Sequence, residues 1–166
     1  MVNWYHYIIL LIPVALSSIV KSNAVALIND NNYSELHKIL FTVNLVNIIG
    51  CSLIVVVIIL FTKTILLTFG SGFDKVYIPL IIQTIAYFIV SVFTPAEKLL
   101  TLINVKKEIK ANILQLVILI ILGSVFTYYW GVLGITVALM FSVCMKYLFV
   151  YVFLKKCIPI KPLIIF

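Results

Sequence analysis

Long apolar runs without charged residues constrain the fold of this chain more than any other feature. Residues 1–20, 39–62 and 76–96 contain no Lys, Arg, Asp or Glu, and residues 111–154 contain only Lys146. An α-helix needs about 20 apolar residues to cross the hydrocarbon core of a bilayer. Only helices and closed barrels can satisfy their backbone hydrogen bonds in that core. The runs therefore predict several transmembrane helices.

The overall composition supports the same fold class. The chain is 64% hydrophobic and 10% charged, and its mean hydropathy is +1.27. Soluble domains carry about 25% charged residues, so this chain has too few to cover a surface that faces water. The sequence predicts an all-α polytopic transmembrane helix bundle, with residues 1–166 as a single transmembrane domain.

The last apolar run is too long for one membrane crossing. Tyr128, Tyr129, Trp130 and Gly131 interrupt it, and aromatic side chains of this kind favour the membrane–water interface. We therefore expect a tight turn at 128–131. A polar loop is expected at 29–38, between the first two spans. The full prediction is five helices, at about 4–27, 39–62, 76–96, 111–128 and 132–154, with an interfacial segment at 63–75.

The distribution of lysines predicts an orientation. All twelve basic residues are Lys. If the C-terminus is cytoplasmic, the outer segments hold only Lys63 and Lys75, which agrees with the excess of basic residues in cytoplasmic loops. The inner segments then hold Lys21, Lys38, Lys98, Lys106, Lys107, Lys110, Lys155, Lys156 and Lys161. Because these lysines alternate with apolar runs, the net charge of +7 does not predict a nucleic-acid partner.

Motifs for catalysis or metal binding are not evident. His6 and His37 stand alone, and no Asp or Glu falls inside a predicted span. The three cysteines form no CxxC pair, and their odd number does not suggest a disulfide framework or a zinc site. The sequence thus predicts neither an enzyme nor a cofactor.

Polar side chains within the predicted spans are candidates for a substrate site, because hydrocarbon makes them costly. Asn44 and Asn47 lie one helical turn apart and share a face, and Gln83 lies in the third predicted helix. One interpretation is a cavity lining that contacts a sugar or phosphate group. The other is hydrogen bonding between helices.

Lys146 is the charged residue that lies deepest in a predicted span. About eight residues separate it from Lys155, so it lies about 12 Å inside the helix end. Gly134, Ala138 and Ser142 precede it at intervals of four residues, and small residues at that spacing favour helix–helix contact. We expect Lys146 to point towards protein or a cavity. There it either attracts a pyrophosphate-linked lipid, or snorkels towards water or a structural partner.

Four segments, taken in order, carry a family resemblance. The first is Pro13 in a helix, followed by the polar segment 34–38. A Phe-Gly-x-x-Phe motif at 69–73 is the second, and the basic segment 105–107 after a helix is the third. The fourth is a Gly-x-x-Gly-x-x-x-Ala motif at 131–138. In this order and spacing they resemble the C-terminal half of polysaccharide-biosynthesis, or O-antigen-type, flippases of the multidrug/oligosaccharidyl-lipid/polysaccharide exporter superfamily.

This resemblance implies a transporter with two lobes of about six helices each, working by alternating access. It implies translocation of an undecaprenyl-pyrophosphate-linked oligosaccharide in a bacterial inner membrane, with Lys146, Gln83, Asn44 and Asn47 as candidate substrate contacts. Five helices match roughly one lobe, so we expect a fragment or one half of a split transporter, with a separately encoded N-terminal lobe as partner. The alternatives are a multidrug antiporter of the same superfamily, a membrane-embedded glycolipid or acyl transferase, and an inactive truncated remnant.

Overall fold

The computed structural model describes residues 4–30, 32–68 and 76–157, and every regular element in these ranges is helical. This confirms the all-α fold class. Five α-helices follow one another along the chain: α1 (Trp4–Asn29), α2 (Tyr33–Thr68), α3 (Tyr77–Ile103), α4 (Val105–Trp130) and α5 (Val132–Cys157).

Four helices, α2 to α5, are long and apolar enough to cross a membrane. The chain is therefore a multi-pass membrane protein. The predicted span at 4–27 coincides with α1, which is not among these four, and its crossing of the membrane remains a prediction.

The helix α2 begins earlier and ends later than the sequence predicts. Glu35 donates its backbone N–H to Asn32 Oδ1 at 3.3 Å, and Asn32 Nδ2 donates to Glu35 Oε2 at 2.9 Å. The first of these bonds is an N-cap bond, which starts a helix, so the predicted loop at 29–38 is wrong in its second half. The predicted interfacial segment at 63–75 starts as a continuation of α2, and its residues 69–75 lie outside the described part of the chain.

A single residue joins α3 to α4. Asn104 caps α4, because its Oδ1 accepts the backbone N–H of Lys107 at 3.2 Å. The predicted end of the third helix at 96 and the predicted start of the fourth at 111 are therefore wrong by about two turns each. The predictions ended each helix at its first charged residue, but the helical backbone continues through these residues.

The predicted turn at 128–131 is confirmed, although α4 runs through its aromatic residues to Trp130. Gly131 has a φ of 57°, a conformation that glycine adopts readily. Its N–H donates to the carbonyl of Thr127 at 2.9 Å and closes α4. Three residues later, a Cβ on Gly134 would overlap the backbone carbonyl of Phe126. The absence of a side chain at Gly134 thus lets α5 pack closely against α4.

The central helix of the bundle is α3, which packs against all four other helices, whereas α4 packs mainly on α5. The main core lies where the C-terminal ends of α1, α3 and α5 meet the N-terminal ends of α2 and α4. We call this part of the molecule the basic half, because the helix ends that meet there carry Lys21, Lys38, Lys98, Lys106, Lys107, Lys110, Lys155 and Lys156. Its core consists of Val20, Ala24, Leu36, Leu40, Val43, Ala96, Leu99, Leu100, Ala111, Val143, Tyr147, Val150 and Leu154.

Candidate functional site

A buried ion pair joins α3 to α5. Lys146 Nζ lies 2.7 Å from Glu97 Oε1, and the two side chains are only 11% and 14% exposed. Ala138 and Ser142, in the small-residue stripe that precedes Lys146, are fully buried. Lys146 therefore points towards protein, as the stripe predicts, and its contact there is a carboxylate from a neighbouring helix.

Tyr147 completes the charge cluster from the next position on α5. Its hydroxyl donates to Glu97 Oε2 at 3.1 Å, and the carbonyl oxygen of Val90 lies 3.4 Å from the same hydroxyl. Lys146 Nζ also lies 5.3 Å from the centre of the Tyr147 ring. Both carboxylate oxygens of Glu97 are thus engaged, which matters because an incompletely bonded buried charge is strongly destabilising.

Glu97 corrects the prediction that no acidic residue lies inside a span. The predicted helix ended at 96, immediately before the first charged residue, but α3 continues to Ile103. Glu97 was consequently missed as a candidate site residue. One signal could have identified it: a lysine facing protein requires a counter-ion, and few acidic residues are available in this chain.

Asn47 contacts α3 at a bend-permitting site. Pro95 has no N–H and cannot bond the carbonyl four residues earlier, which belongs to Ser91. Asn47 Nδ2 donates to that carbonyl at 2.5 Å and supplies the missing hydrogen bond from α2. Cys51 Sγ in turn donates to Asn47 Oδ1 at 3.3 Å. Asn47 is therefore engaged in hydrogen bonding between helices, one of the two interpretations of this residue.

The four predicted site residues do not form one cluster. Asn47 and Lys146 contact α3 at Ser91 and Glu97, about 9 Å apart along the helix axis. Asn44 is buried one turn from Asn47 on α2. Gln83 is partly exposed and lies 14 positions before Glu97, about 21 Å along α3. The structure thus brings Asn47 and Lys146 to neighbouring turns of α3, keeps Asn44 buried on α2 and leaves Gln83 apart.

Among the described residues, two of the cavities border α3 and α5. A lateral crevice of about 500 Å³ lies between α3 and α5, and its lining is almost entirely apolar. It is formed by Ile89, Phe93, Cys144, Tyr147, Leu148 and Tyr151. A small cavity of about 120 Å³ lies where α3, α4 and α5 meet. Its lining consists of Ala86, Tyr87, Val90, Gln115, Leu139 and Val143.

The residues described here do not assemble a metal centre: no three His, Cys, Asp or Glu side chains among them could hold an ion. Neither Cys51 nor Cys144 forms a disulfide. The chemistry available at the site is electrostatic, because a buried cation and anion are held in contact and can be separated only by moving a helix or neutralising Glu97.

Comparisons of the chain with protein-family models, with curated proteins and with solved structures find no match.

Proposed function

We propose that this chain forms one lobe of a transporter that flips a lipid-linked oligosaccharide across a bacterial inner membrane, for the synthesis of cell-surface polysaccharide. The observation that supports this most is the buried Glu97–Lys146 pair inside a membrane-spanning bundle. A charge at the centre of a bilayer costs about 2.5–3.5 kcal/mol on insertion scales, and such residues commonly mark substrate or ion pathways. The resemblance of the chain to O-antigen-type flippases supplies the substrate class.

In this proposal Lys146 exchanges partners during transport. Glu97 neutralises Lys146 when no substrate is present, and the pyrophosphate of the lipid carrier competes with Glu97 for the ammonium group. Pro95 lies two residues before Glu97, so a change in the bend of α3 displaces the carboxylate. The hydrogen bond from Asn47 to the Ser91 carbonyl ties this part of α3 to α2. In the proposal, the Ser91 carbonyl exchanges Asn47 for another donor during the conformational change.

A second lobe is part of the proposal because the described residues of this bundle show no evident passage for a sugar. The basic half is filled by apolar side chains. Of the two cavities described above, the lateral crevice is apolar, and the other measures only about 120 Å³. The oligosaccharide would therefore move along a surface between this lobe and another, as in transporters built from paired repeats.

The direct test is a flipping assay in proteoliposomes, combined with complementation of a flippase-null strain. We expect the chain alone to fail and coexpression with an N-terminal lobe to restore export. In the assembled protein, Lys146→Met should abolish flipping, and so should Glu97→Leu with Lys146→Met, which leaves no unpaired buried charge and should keep the protein level unchanged. Lys146→Arg should keep partial activity because the charge survives. Lys63→Met, near the C-terminal end of α2 and away from the basic half, is the matched control. This variant should support normal flipping.

A charge-swapped variant, Glu97→Lys with Lys146→Glu, separates binding from stability. It preserves the ion pair but moves the cation to α3, so folding should survive and flipping should be lost. Normal flipping by Lys146→Met or by the swapped variant would assign the pair to stability alone. Full complementation by the chain as a monomer would contradict the requirement for a second lobe.

The orientation is testable with Cys157. The lysine distribution predicts that residues 98–110 and 155–166 face the cytoplasm. A membrane-impermeant maleimide should label Cys157 in inverted membrane vesicles and not in intact cells. Labelling in intact cells would reverse the topology and place the basic half outside.

An ion-coupled multidrug antiporter is the second candidate, and Glu97 is the observation that favours it. Intramembrane carboxylates are typical of proton relays in pumps and transporters. An antiporter predicts that a proton or sodium gradient drives drug efflux from proteoliposomes and that Glu97→Gln abolishes the coupling. Flipping that is independent of either gradient, without drug efflux, would favour the flippase.

A further inference from the structure

We propose that the lateral crevice between α3 and α5 binds one anionic phospholipid, with an acyl chain in the crevice and the phosphate at Lys155. This inference does not depend on the transport function proposed above. It rests on the lining of the crevice, on the length of the helix face that it occupies, and on the charge at the end of that face.

The lining of the crevice suits a hydrocarbon chain. Its volume of about 500 Å³ falls within the range of small-molecule sites, roughly 300–1,000 Å³. Leu148 is 59% exposed at its rim, so the crevice opens sideways from the bundle, towards the surrounding lipid. Water gains little in an apolar space because it finds few hydrogen-bond partners there. An acyl chain from the bilayer needs no hydrogen-bond partners and can therefore fill the crevice.

The floor of the crevice is aromatic and has no free polar group. The rings of Phe93 and Tyr147 stack with their centres 4.9 Å apart. The Tyr147 hydroxyl is already bound to Glu97, so the crevice receives the ring and not the polar tip. Stacking between α3 and α5 also keeps the crevice preformed, which lowers the entropic cost of binding a ligand.

Lys155 provides the charge complementarity for the headgroup. Cys144, Leu148, Tyr151 and Lys155 are spaced i, i+4, i+7 and i+11, so they share one face of α5. From Cys144 to Lys155 the helix rises about 16 Å, close to half of the roughly 30 Å hydrocarbon thickness. A lipid with its tail end near Cys144 thus has its phosphate at the depth of Lys155, which is exposed.

Neither neighbouring lysine can replace Lys155. Lys156 is the next residue, and one residue rotates a helix by about 100°, so it points away from the crevice face. Lys146 lies on another side of α5 and is already paired with Glu97 at 2.7 Å. The chain therefore contains a matched control for the headgroup contact in Lys156.

Protection of the Cys144 thiol measures occupancy. In the Cys157→Ser variant, Cys144 is the reactive cysteine, because Cys51 is fully buried. The purified protein in detergent is labelled with an apolar maleimide while phosphatidylglycerol or phosphatidylcholine is added. At a lipid concentration ten times the Kd, the bound lipid should slow labelling about tenfold. A cysteine on the exposed face of α4, Ile120→Cys with Cys144→Ser and Cys157→Ser, should show no such protection.

The headgroup is tested by comparing two variants in the same assay. Lys155→Gln should weaken protection by phosphatidylglycerol to the level of phosphatidylcholine, and Lys156→Gln should leave it unchanged. Equal protection by both lipids in the parent protein would overturn the proposal, as would equal effects of the two lysine variants. Unprotected Cys144 would also overturn it. No transport substrate is present in these experiments, so failure of the proposed transport function would leave their outcome unchanged.

Discussion

Helices α3 and α4 are nearly equal in length and both qualify as membrane spans, yet they occupy opposite kinds of position. The helix α3 has 27 residues and buries ten of them, whereas α4 has 26 residues and buries only Ala111 and Gly123. The most apolar 18-residue stretch belongs to α4, whereas over its whole length α3 is the more apolar. Average hydropathy therefore does not identify the central helix.

The difference follows from the solvent. Lipid tails are as apolar as leucine, so exposed side chains such as Ile113, Leu116 and Ile120 of α4 cost little in a membrane. Polar groups are excluded from lipid and collect inside the bundle. The buried hydroxyl of Thr84 in α3 bonds the carbonyl of Leu80, and the carbonyl of Ser91 bonds Asn47. Polar side chains, more than apolar ones, thus mark the central helix.

The largest expected effect comes from the charge on α3. Glu97→Leu leaves Lys146 buried without its counter-ion and should lower the free energy of unfolding by about 3–5 kcal/mol. Replacing both residues, Glu97→Leu with Lys146→Met, should recover most of this loss because no charge stays buried. Denaturant unfolding in detergent micelles measures both. A double variant less stable than the single one would contradict this account.

The second-largest expected effect is the difference in stability loss when an apolar side chain is truncated in α3 and in α4. Leu100→Ala in α3 removes a fully buried side chain and should cost about 2–5 kcal/mol. Ile120→Ala in α4 removes one that is 58% exposed, so its effect should stay within about 0.5 kcal/mol. The same unfolding assay compares them. Equal losses would mean that α4 is covered by a partner under the assay conditions.

Glycine substitutions test the close packing of α5 against the backbone of α4 at Gly134. Gly134→Ala places a Cβ against the Phe126 backbone and should cost about 1–3 kcal/mol by overpacking. Gly123→Ala is the matched control, because its Cβ would meet only Ile135 Cδ1 at 3.9 Å. It should be neutral or stabilising by up to about 1 kcal/mol. Similar stabilities for the two variants would disprove close packing at Gly134.

The smallest expected effect concerns the bond between α2 and α3. Hydrogen bonds between membrane helices contribute about 0.6 kcal/mol on average and up to about 1.7 kcal/mol. We expect Asn47→Leu to cost an amount in this range, because Ser91 loses its donor. In a Pro95→Ala background the backbone N–H returns to that carbonyl, so the same substitution should cost less. A double-mutant cycle of Asn47→Leu and Pro95→Ala measures the coupling between the two residues. Additive effects would show that Asn47 does not compensate for the N–H that Pro95 lacks.

The sequence by itself determined the fold class, the turn at 128–131 and the inward direction of Lys146. Each depends on a property that can be read along one segment: hydropathy over about 20 residues, a glycine after interfacial aromatics, and small residues at helical spacing. Helix ends were predicted less well. The predictions ended each helix at a charged residue, but backbone hydrogen bonds extend α2, α3 and α4 past these residues.

Only the tertiary structure decided which residues meet. Glu97 and Lys146 are 49 positions apart, and Asn47 and Ser91 are 44 apart. From the sequence alone, several polar side chains could have been the partner of Lys146. The same is true of the donor for the Ser91 carbonyl, which Pro95 leaves without its helical N–H. The choice depends on which helices are neighbours and on how each is rotated, and both result from packing the whole bundle. The position of α3 at the centre has the same origin, because the hydropathy of one segment does not specify which neighbours surround it.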